Sequence, residues 1–365
     1  MRRERKERNR RRQLGFPEKR MFTPGEIFLD SSGAPINAHG AGFLRHGGVW
    51  YWFGEHKIGG TEGNRAWVGV HVYSSTDLRS WDDRGIALDI RNGRIPALAP
   101  GCVIERPKVI FCAATGKFVM YFHYEGAAGY SFAGVGTAVA DSPVGPYAFQ
   151  RIFRPNPGVW PINTPPELKD PQRIAAARDN DRIPYAENPI TPQVSHLGAH
   201  LDAGQDSRDM TLFVDDDGTA YHIYASELNS TLHIAELTAD HLGHTGRYCR
   251  CFPWRWMEAP ALFKHDDRYY LFASGCTGWA PNAARSATAE HIFGPWRELG
   301  NPAVDEGGDT TYRSQCACVI DTGERLIYVG DRWNPQNASD GRYVWLPIDF
   351  EDDRPVIHWA ASWDL

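Results

Sequence analysis

Five short apolar runs in the chain are each headed by a polar residue. His39 precedes 40–44, Glu105 precedes 106–111, Asp209 precedes 210–214, Glu258 precedes 259–263 and Gln315 precedes 316–320. In four of the five, six or seven residues separate the head from the turn that follows, as in 209 to 215 and 258 to 265. A single Asp or Glu at a strand head ordinarily serves a turn or an arginine. Three carboxyl groups at equivalent positions of a repeat point instead to a site, because buried carboxylates are costly unless they are paired or used. Glu258 has the most apolar neighbourhood, with Trp254, Trp256 and Met257 before it and Ala259-Pro260 after it. Apolar walls and a like charge nearby raise a carboxyl pKa, so Glu258 is the expected proton donor. Asp209, next to Arg208, is expected to stay ionised and to hold the proton on Glu258 from across the ring. A carboxylic acid facing a second group that activates or places water is the equipment for splitting a glycosidic bond.

Residues so far apart in sequence need an architecture that brings them together. One pattern recurs five times: a polar or glycine turn followed by an aromatic, alternating strand. The copies are 47–55, 116–125, 217–225, 267–274 and 323–330. Each reads as a strand entered through a hairpin turn. Downstream strands at 68–75, 135–140 and 286–289 run into closing aromatics at Trp81, Tyr147 and Trp296. Sustained 3.6-residue periodicity is almost absent, so helix content should be low. The pattern predicts an all-β fold, a five-bladed β-propeller over residues 21–365. In a propeller the innermost strands line a central channel, so equivalent heads form a ring at its mouth. Residues 148–206, dense in proline, are expected to be a long ordered loop over one face. Trp160 within it is expected to pack rather than meet ligand.

Composition narrows the function further. The 365 residues carry a formal net charge of −6, which speaks against a duplex-binding face. No stretch is apolar for the length of a membrane span. Aromatic residues make up 12%, with 13 Trp, which suits both blade packing and stacking on sugar rings. The seven cysteines include two C-x-C pairs, Cys249/Cys251 and Cys316/Cys318, read as small buried thiols in a reducing compartment. Residues 1–20 form a basic tail with no apolar region after it, so the chain as written shows no secretory leader and is expected in the cytoplasm.

The motifs Ser74-Ser75-Thr76-Asp77-Leu78-Arg79-Ser80-Trp81, Asp215-Asp216-Asp217-Gly218, Glu258-Ala259-Pro260 and Tyr269-Tyr270-Leu271 resemble glycoside hydrolase family 43, inverting enzymes on a five-bladed propeller. The resemblance runs from about Phe22 onward. It is closer still to the exo-β-1,3-galactanase branch, through 36–42, 51–55, 105–108 and Ser274-Gly275-Cys276-Thr277-Gly278-Trp279. It implies Glu258 as general acid and Asp209 as the residue that tunes it. Most of the family opens its first blade with a basic Asp, whereas Asn37-Ala38-His39 has no carboxylate. The galactanase branch shares that departure and implicates a fifth-blade Gln, matched by Gln315, in placing the water. Glu105, reached through a second water, is the other candidate for that side. Glu55 and Glu105 match carboxylates that grip a terminal galactose, and Tyr130, Thr277 and the ring residue His39 are further substrate-binding candidates. The expected substrate is a β-1,3-linked galacto-oligosaccharide or polysaccharide, handled by a monomer. No metal ligand set is expected and no cofactor is needed, although the channel could take a structural calcium or sodium ion. The alternatives are an α-L-arabinofuranosidase or β-xylosidase of the same family, or a propeller that binds sugar without turning it over.

Overall fold

The computed structural model describes residues 21–181 and 196–365, apart from 66, 92, 94, 128 and 341. The expected basic tail at 1–20 lies outside them. Five four-stranded antiparallel meanders form the blades. Blade one comprises β1 (His39–His46), β2 (Val49–Lys57), β3 (Trp67–Ser75) and β4 (Asp82–Asp89). Blade two comprises β5 (Val103–Cys112), β6 (Lys117–Glu125), β7 (Gly134–Ala140) and β8 (Ala148–Phe153). Blade three follows as β9 (Met210–Val214), β10 (Ala220–Ser226), β11 (Thr231–Leu237) and β12 (His244–Cys251). Blade four is β13 (Met257–His265), β14 (Arg268–Gly275), β15 (Arg285–Ala289) and β16 (Arg297–Gly300). Blade five is β17 (Gln315–Asp321), β18 (Leu326–Arg332), β19 (Arg342–Glu351) and β20 (Arg354–Ile357). The five aromatic repeats fall on β2, β6, β10, β14 and β18, the second strand of each blade.

One expectation needs correcting. The segment expected as a loop from residue 148 begins with six residues of strand, because Ala148–Phe153 pairs with β7 as the outer edge of blade two. The insertion proper starts after Phe153 and carries helix α1 (Pro171–Asp181). Its half-buried Trp160 lies with the Lys169 ammonium 6.0 Å from the ring, a packing contact as expected.

Alternation along the strands puts one apolar row on each face of a blade, and neighbouring blades bury those rows against each other. Phe53 and Val72 of blade one pack with Ile104 and Met120 of blade two. Tyr121 of blade two meets Met210 and Tyr224 of blade three, and Ile223 of blade three meets Leu271 of blade four. The largest cluster joins blades four, five and one through Phe272, Tyr328, Trp345, Trp52 and Trp81. The chain ends close the ring there. Phe22 and Trp363 exchange backbone hydrogen bonds of 2.9 and 3.0 Å and stack their rings 4.5 Å apart. Gly25 N–H donates to the Tyr343 carbonyl at 2.7 Å, fastening the entering chain to β19.

The inner strands carry a shared irregularity that aims the heads. Pairing slips after His39 in β1, after Glu105 in β5, after Glu258 in β13 and after Cys316 in β17. A bulge bends the strand and redirects the side chain beside it. In three of these the residue after the head, Gly40, Arg106 or Ala259, takes a left-handed φ of 64°, 54° or 51°. Arg106 and Ala259 hold that conformation at a cost of about 1–3 kcal/mol each, a sign of an over-determined functional region.

Close approach also fixes Gly54 in β2. A Cβ there would lie 2.2 Å from the Ala38 carbonyl carbon, a backbone atom leading directly into His39. Gly54→Ala should therefore lower stability by about 1–3 kcal/mol, the usual range for overpacking. Urea unfolding of the variant beside wild type measures this, and an unchanged midpoint contradicts it.

Candidate active site

The site is organised around Arg106, which sits one residue past a strand head and is 4% exposed. Its left-handed backbone turns the N–H toward Glu55, whose Oε1 accepts at 2.9 Å. Its Nη2 lies 3.1 Å from Asp209 Oδ2 and donates to Gln315 Oε1 at 2.6 Å. Nη1 donates to the Cys316 carbonyl at 3.1 Å and lies 3.9 Å from Asp331 Oδ2. One arginine of blade two thus ties in blade one through its backbone and blades three and five through its guanidinium. Burial opposes its charge, but Asp209, Asp331, Glu55 and Glu105 more than offset this and keep it protonated. The cation beside Asp209 is therefore Arg106 and not its sequence neighbour Arg208. Arg208 instead points to Glu125, at 3.8 Å, and to the Tyr130 carbonyl, because successive side chains diverge.

Glu258 lies near the start of β13. Burial first, and the Asp209 charge second, push its carboxyl up to about 7 against the opposing pull of Arg106. Asp209 Oδ2 also accepts the Ala259 N–H at 3.1 Å, so the left-handed turn after Glu258 couples the two carboxyls. Asn229 Nδ2 donates to Glu258 Oε1 at 2.8 Å. Asn229 comes from the turn between β10 and β11, where Glu227, Leu228 and Asn229 all have positive φ. The buried bidentate pair Arg250–Glu227, at 2.6 and 2.8 Å, stiffens that turn.

Gln315 has its amide orientation set by chemistry. Its Oε1 accepts from Arg106 and also from Trp333 Nε1 at 2.9 Å, and both partners are obligate donors. Its Nε2 donates to Ser274 Oγ at 2.9 Å. Both carbonyl lone pairs are engaged, and one N–H remains to donate to a water. Glu105 is similarly committed. Its Oε1 accepts from Tyr130 at 2.6 Å, and its Oε2 is 2.8 Å from His123 Nδ1. Burial would raise the Glu105 carboxyl, but those hydrogen bonds and the His123 charge carry it down to about 2. Burial would likewise lower His123, yet Glu105 and Glu125 hold it up to about 9. Glu105 is a fixed anion and a feeble base.

The other expected residues divide. Tyr130 is 41% exposed and hydrogen-bonded to Glu105, with Asn64 donating to its hydroxyl at 2.6 Å. Thr277 is exposed but accepts from Asn282 at 2.7 Å, which shapes the 275–282 loop. Glu55 is buried, with Oε2 3.0 Å from Lys57 Nζ. His39, expected as a further substrate contact, is enclosed in this structure. It is 1% exposed, packed between Trp333 and Tyr343, and burial carries its imidazole down to about 3. The bulge after it and the Trp333 ring cover it, so it stands in the channel wall as a neutral ring.

Glu105, His123 and Asp209 bring one donor atom each within 4.8 Å of one another. The guanidinium on Asp209 and the proton on His123 already supply positive charge there, so this set is a poor cage for calcium. Sequence reasoning does not single out Asn229, Trp333 or Asp331, and has Arg106 and Ser274 only as parts of motifs. Ser274 and Asp331 are legible in hindsight, together with His123. Ser274 pairs across from Glu258, His123 from Glu105 and Asp331 from Gln315, so the far end of each aromatic repeat supplies a second ring behind the heads. Asn229 has no signal beyond its turn.

A raised carboxylic acid and a dedicated carboxylate neighbour at the mouth of a five-bladed channel define a glycoside hydrolase. The model for glycosyl hydrolases family 43 matches residues 184–324. The structure of the family 43 β-1,3-galactosidase BT3683, solved with galactodeoxynojirimycin, superposes with a TM-score of 0.84 and 43% identity, covering 94% of this chain and 100% of that one. An exo-β-1,3-galactanase from Phanerochaete chrysosporium with galactose gives 0.75 and 32%, covering 95% and 68%. An exo-β-1,3-galactanase from Clostridium thermocellum gives 0.75 and 33%, covering 94% and 66%. A search of curated protein sequences finds no match. The chain belongs to glycoside hydrolase family 43.

With Glu258 as the group that must hold a proton, kcat/KM should fall as pH rises through about 7. Asp209→Asn removes the repelling charge, so the descending limb should move to lower pH. Profiles of the two proteins on one substrate measure this, and coincident limbs contradict it.

Proposed function

We propose that this protein is an inverting exo-β-1,3-galactosidase that releases galactose from the non-reducing end of β-1,3-galactan and arabinogalactan chains. The observation that carries the reading is the end-to-end match to a β-1,3-galactosidase, 43% identical over all of that chain. Local chemistry agrees with it. The first-blade head is His39, and the water-side position holds the amide of Gln315, the combination expected of the galactanase branch.

The reaction would run as follows. A terminal galactose sits between the fixed carboxylate of Glu105, its Tyr130 partner and the indoles of Trp333 and Trp279, which meet edge to face 5.5 Å apart. Glu258 donates its proton to the departing O3 while the C1–O bond breaks. Asp209 and Asn229 keep that proton available and aimed. The remaining N–H of Gln315 holds a water on the opposite face of the ring, and attack there inverts the configuration. An amide so occupied places water without deprotonating it. The substrate is carbohydrate; among the described residues no helix is long and apolar enough to cross a membrane.

Wild-type protein should release galactose from β-1,3-galactobiose as the α-anomer, seen by proton NMR in the first minutes. Glu258→Gln should lower kcat by about 1,000-fold or more while still binding galactose. Turnover of aryl α-L-arabinofuranoside or β-xyloside in place of galactobiose would move the assignment within the family. Binding without turnover would make the protein a sugar-binding propeller.

A further inference from the structure

The strand heads are not the only ring at the channel mouth. The second strand of each blade ends beside a head, with Glu55 opposite His39, His123 opposite Glu105 and Ser274 opposite Glu258. The connections from second to third strand therefore stand around the mouth as a rim. In blades one, two, four and five they run 58–66, 126–133, 276–284 and 333–341, eight or nine residues each. In blade three the connection is 227–230, only four residues. That short member lies beside the acid, since Asn229 within it donates to Glu258.

The blade-one connection reaches beyond its own blade. Gly60 N–H donates to Asn337 Oδ1 at 3.2 Å, and the Gly60 carbonyl accepts the Ala338 N–H at 2.9 Å, both in blade five. Asn64 Nδ2 donates to the Tyr130 hydroxyl of blade two at 2.6 Å. Its Oδ1 accepts at 3.1 Å from Lys57 Nζ, which also lies 3.0 Å from Glu55 Oε2. A Cβ on Gly63 would stand 3.3 Å from Trp279 Cζ2, so the backbone passes in contact with an indole of blade four. Blade four is not a neighbour of blade one, whose inner strand packs on those of blades two and five. Glycine at 63, with a φ of 57°, allows both the turn and the approach.

These anchor points include the groups that bracket the sugar. Tyr130 and Trp279 both flank the terminal galactose, and the connection spans from one to the other. With C1 facing Glu258, the C3–C4 edge of the ring points away from the acid, toward blade one. A β-1,3-linked chain continuing past this galactose would leave from its O3. We propose that residues 58–65 form an arch that bars this exit and confines cleavage to the terminal residue, with Asn64 as the positioning residue that pins it. The inference rests on the galactosidase reading above and names the element that sets its exo action. A protein rejects a longer ligand by placing matter where the extra length would go. Asn64 also ties the arch to the grip on the sugar, because the Tyr130 hydroxyl it holds donates to Glu105 at 2.6 Å.

4-Nitrophenyl β-1,3-galactobioside separates the two sides of the pocket. In initial turnovers wild type should free galactose and leave nitrophenyl galactoside. Removing residues 59–63 shortens the blade-one connection to four residues, the length found in blade three. That variant should also free intact galactobiose with nitrophenol, raising the ratio of galactobiose to galactose by about tenfold or more on anion-exchange chromatography. A smaller rise in a variant that still turns over overturns the arch. Should the shortened protein not fold or not turn over, Asn64→Ala decides. Loss of the pin should raise KM for β-1,3-galactobiose about tenfold with kcat within about threefold of wild type, the pattern of binding lost equally from ground and transition states. An unchanged KM, or a fall confined to kcat, removes Asn64 from the role and the arch with it. Wild type that frees intact galactobiose overturns the exo reading instead, and wild type that frees no sugar overturns the hydrolase reading, both distinct outcomes.

Discussion

A single buried guanidinium with carboxylates on three sides fixes the arrangement of everything else at the channel mouth. Removing a cation of this kind from water costs several kcal/mol unless it is paired and fully hydrogen-bonded. Arg106 meets that condition only when Asp209 of blade three, Gln315 and Asp331 of blade five, and Glu55 of blade one all stand at their observed places. It forms an ion pair with Asp209, whose charge helps to keep a proton on Glu258.

The site separates two tasks by environment. Glu105 is surrounded by donors and stays anionic, suited to gripping hydroxyl groups. Glu258 has only Asn229 and the weak Cys276 thiol as donors, is largely buried and faces the Asp209 charge, which suits it to giving a proton away. Two glutamates at equivalent positions of blades two and four acquire opposite roles from their surroundings.

The heads Glu105, Asp209, Glu258 and Gln315 were readable because a repeat of period 2 announces its strands, and equivalent strands of a propeller must converge. The aromatic copies read the same way, since their rings fill the gaps between blades. The outer strand β8 was not readable. Ala148–Phe153 is an exposed edge whose residues need not alternate, and it runs straight into a proline-rich segment. The burial of His39 escaped for a different reason, since its cover is supplied by Trp333 and Tyr343, some 300 residues away in sequence. Arg106 was hidden because its importance lies in a left-handed φ, and propensity assigns no such conformation to arginine.

The stacking of Phe22 on Trp363 makes the polypeptide, in effect, a circle cut at one point. Four junctions between blades are covalent, and this one is a handshake of two backbone hydrogen bonds and two rings. A loop between other blades could serve as the cut instead, since Phe22 and Trp363 already touch and could be joined by a short linker. A permutant opened elsewhere would keep all five blades in sequence and carry the seam away from blade five, where Gln315 and Asp331 reside. In such a molecule the seam would lie away from Gln315, and a non-covalent junction would no longer adjoin the blade that carries it.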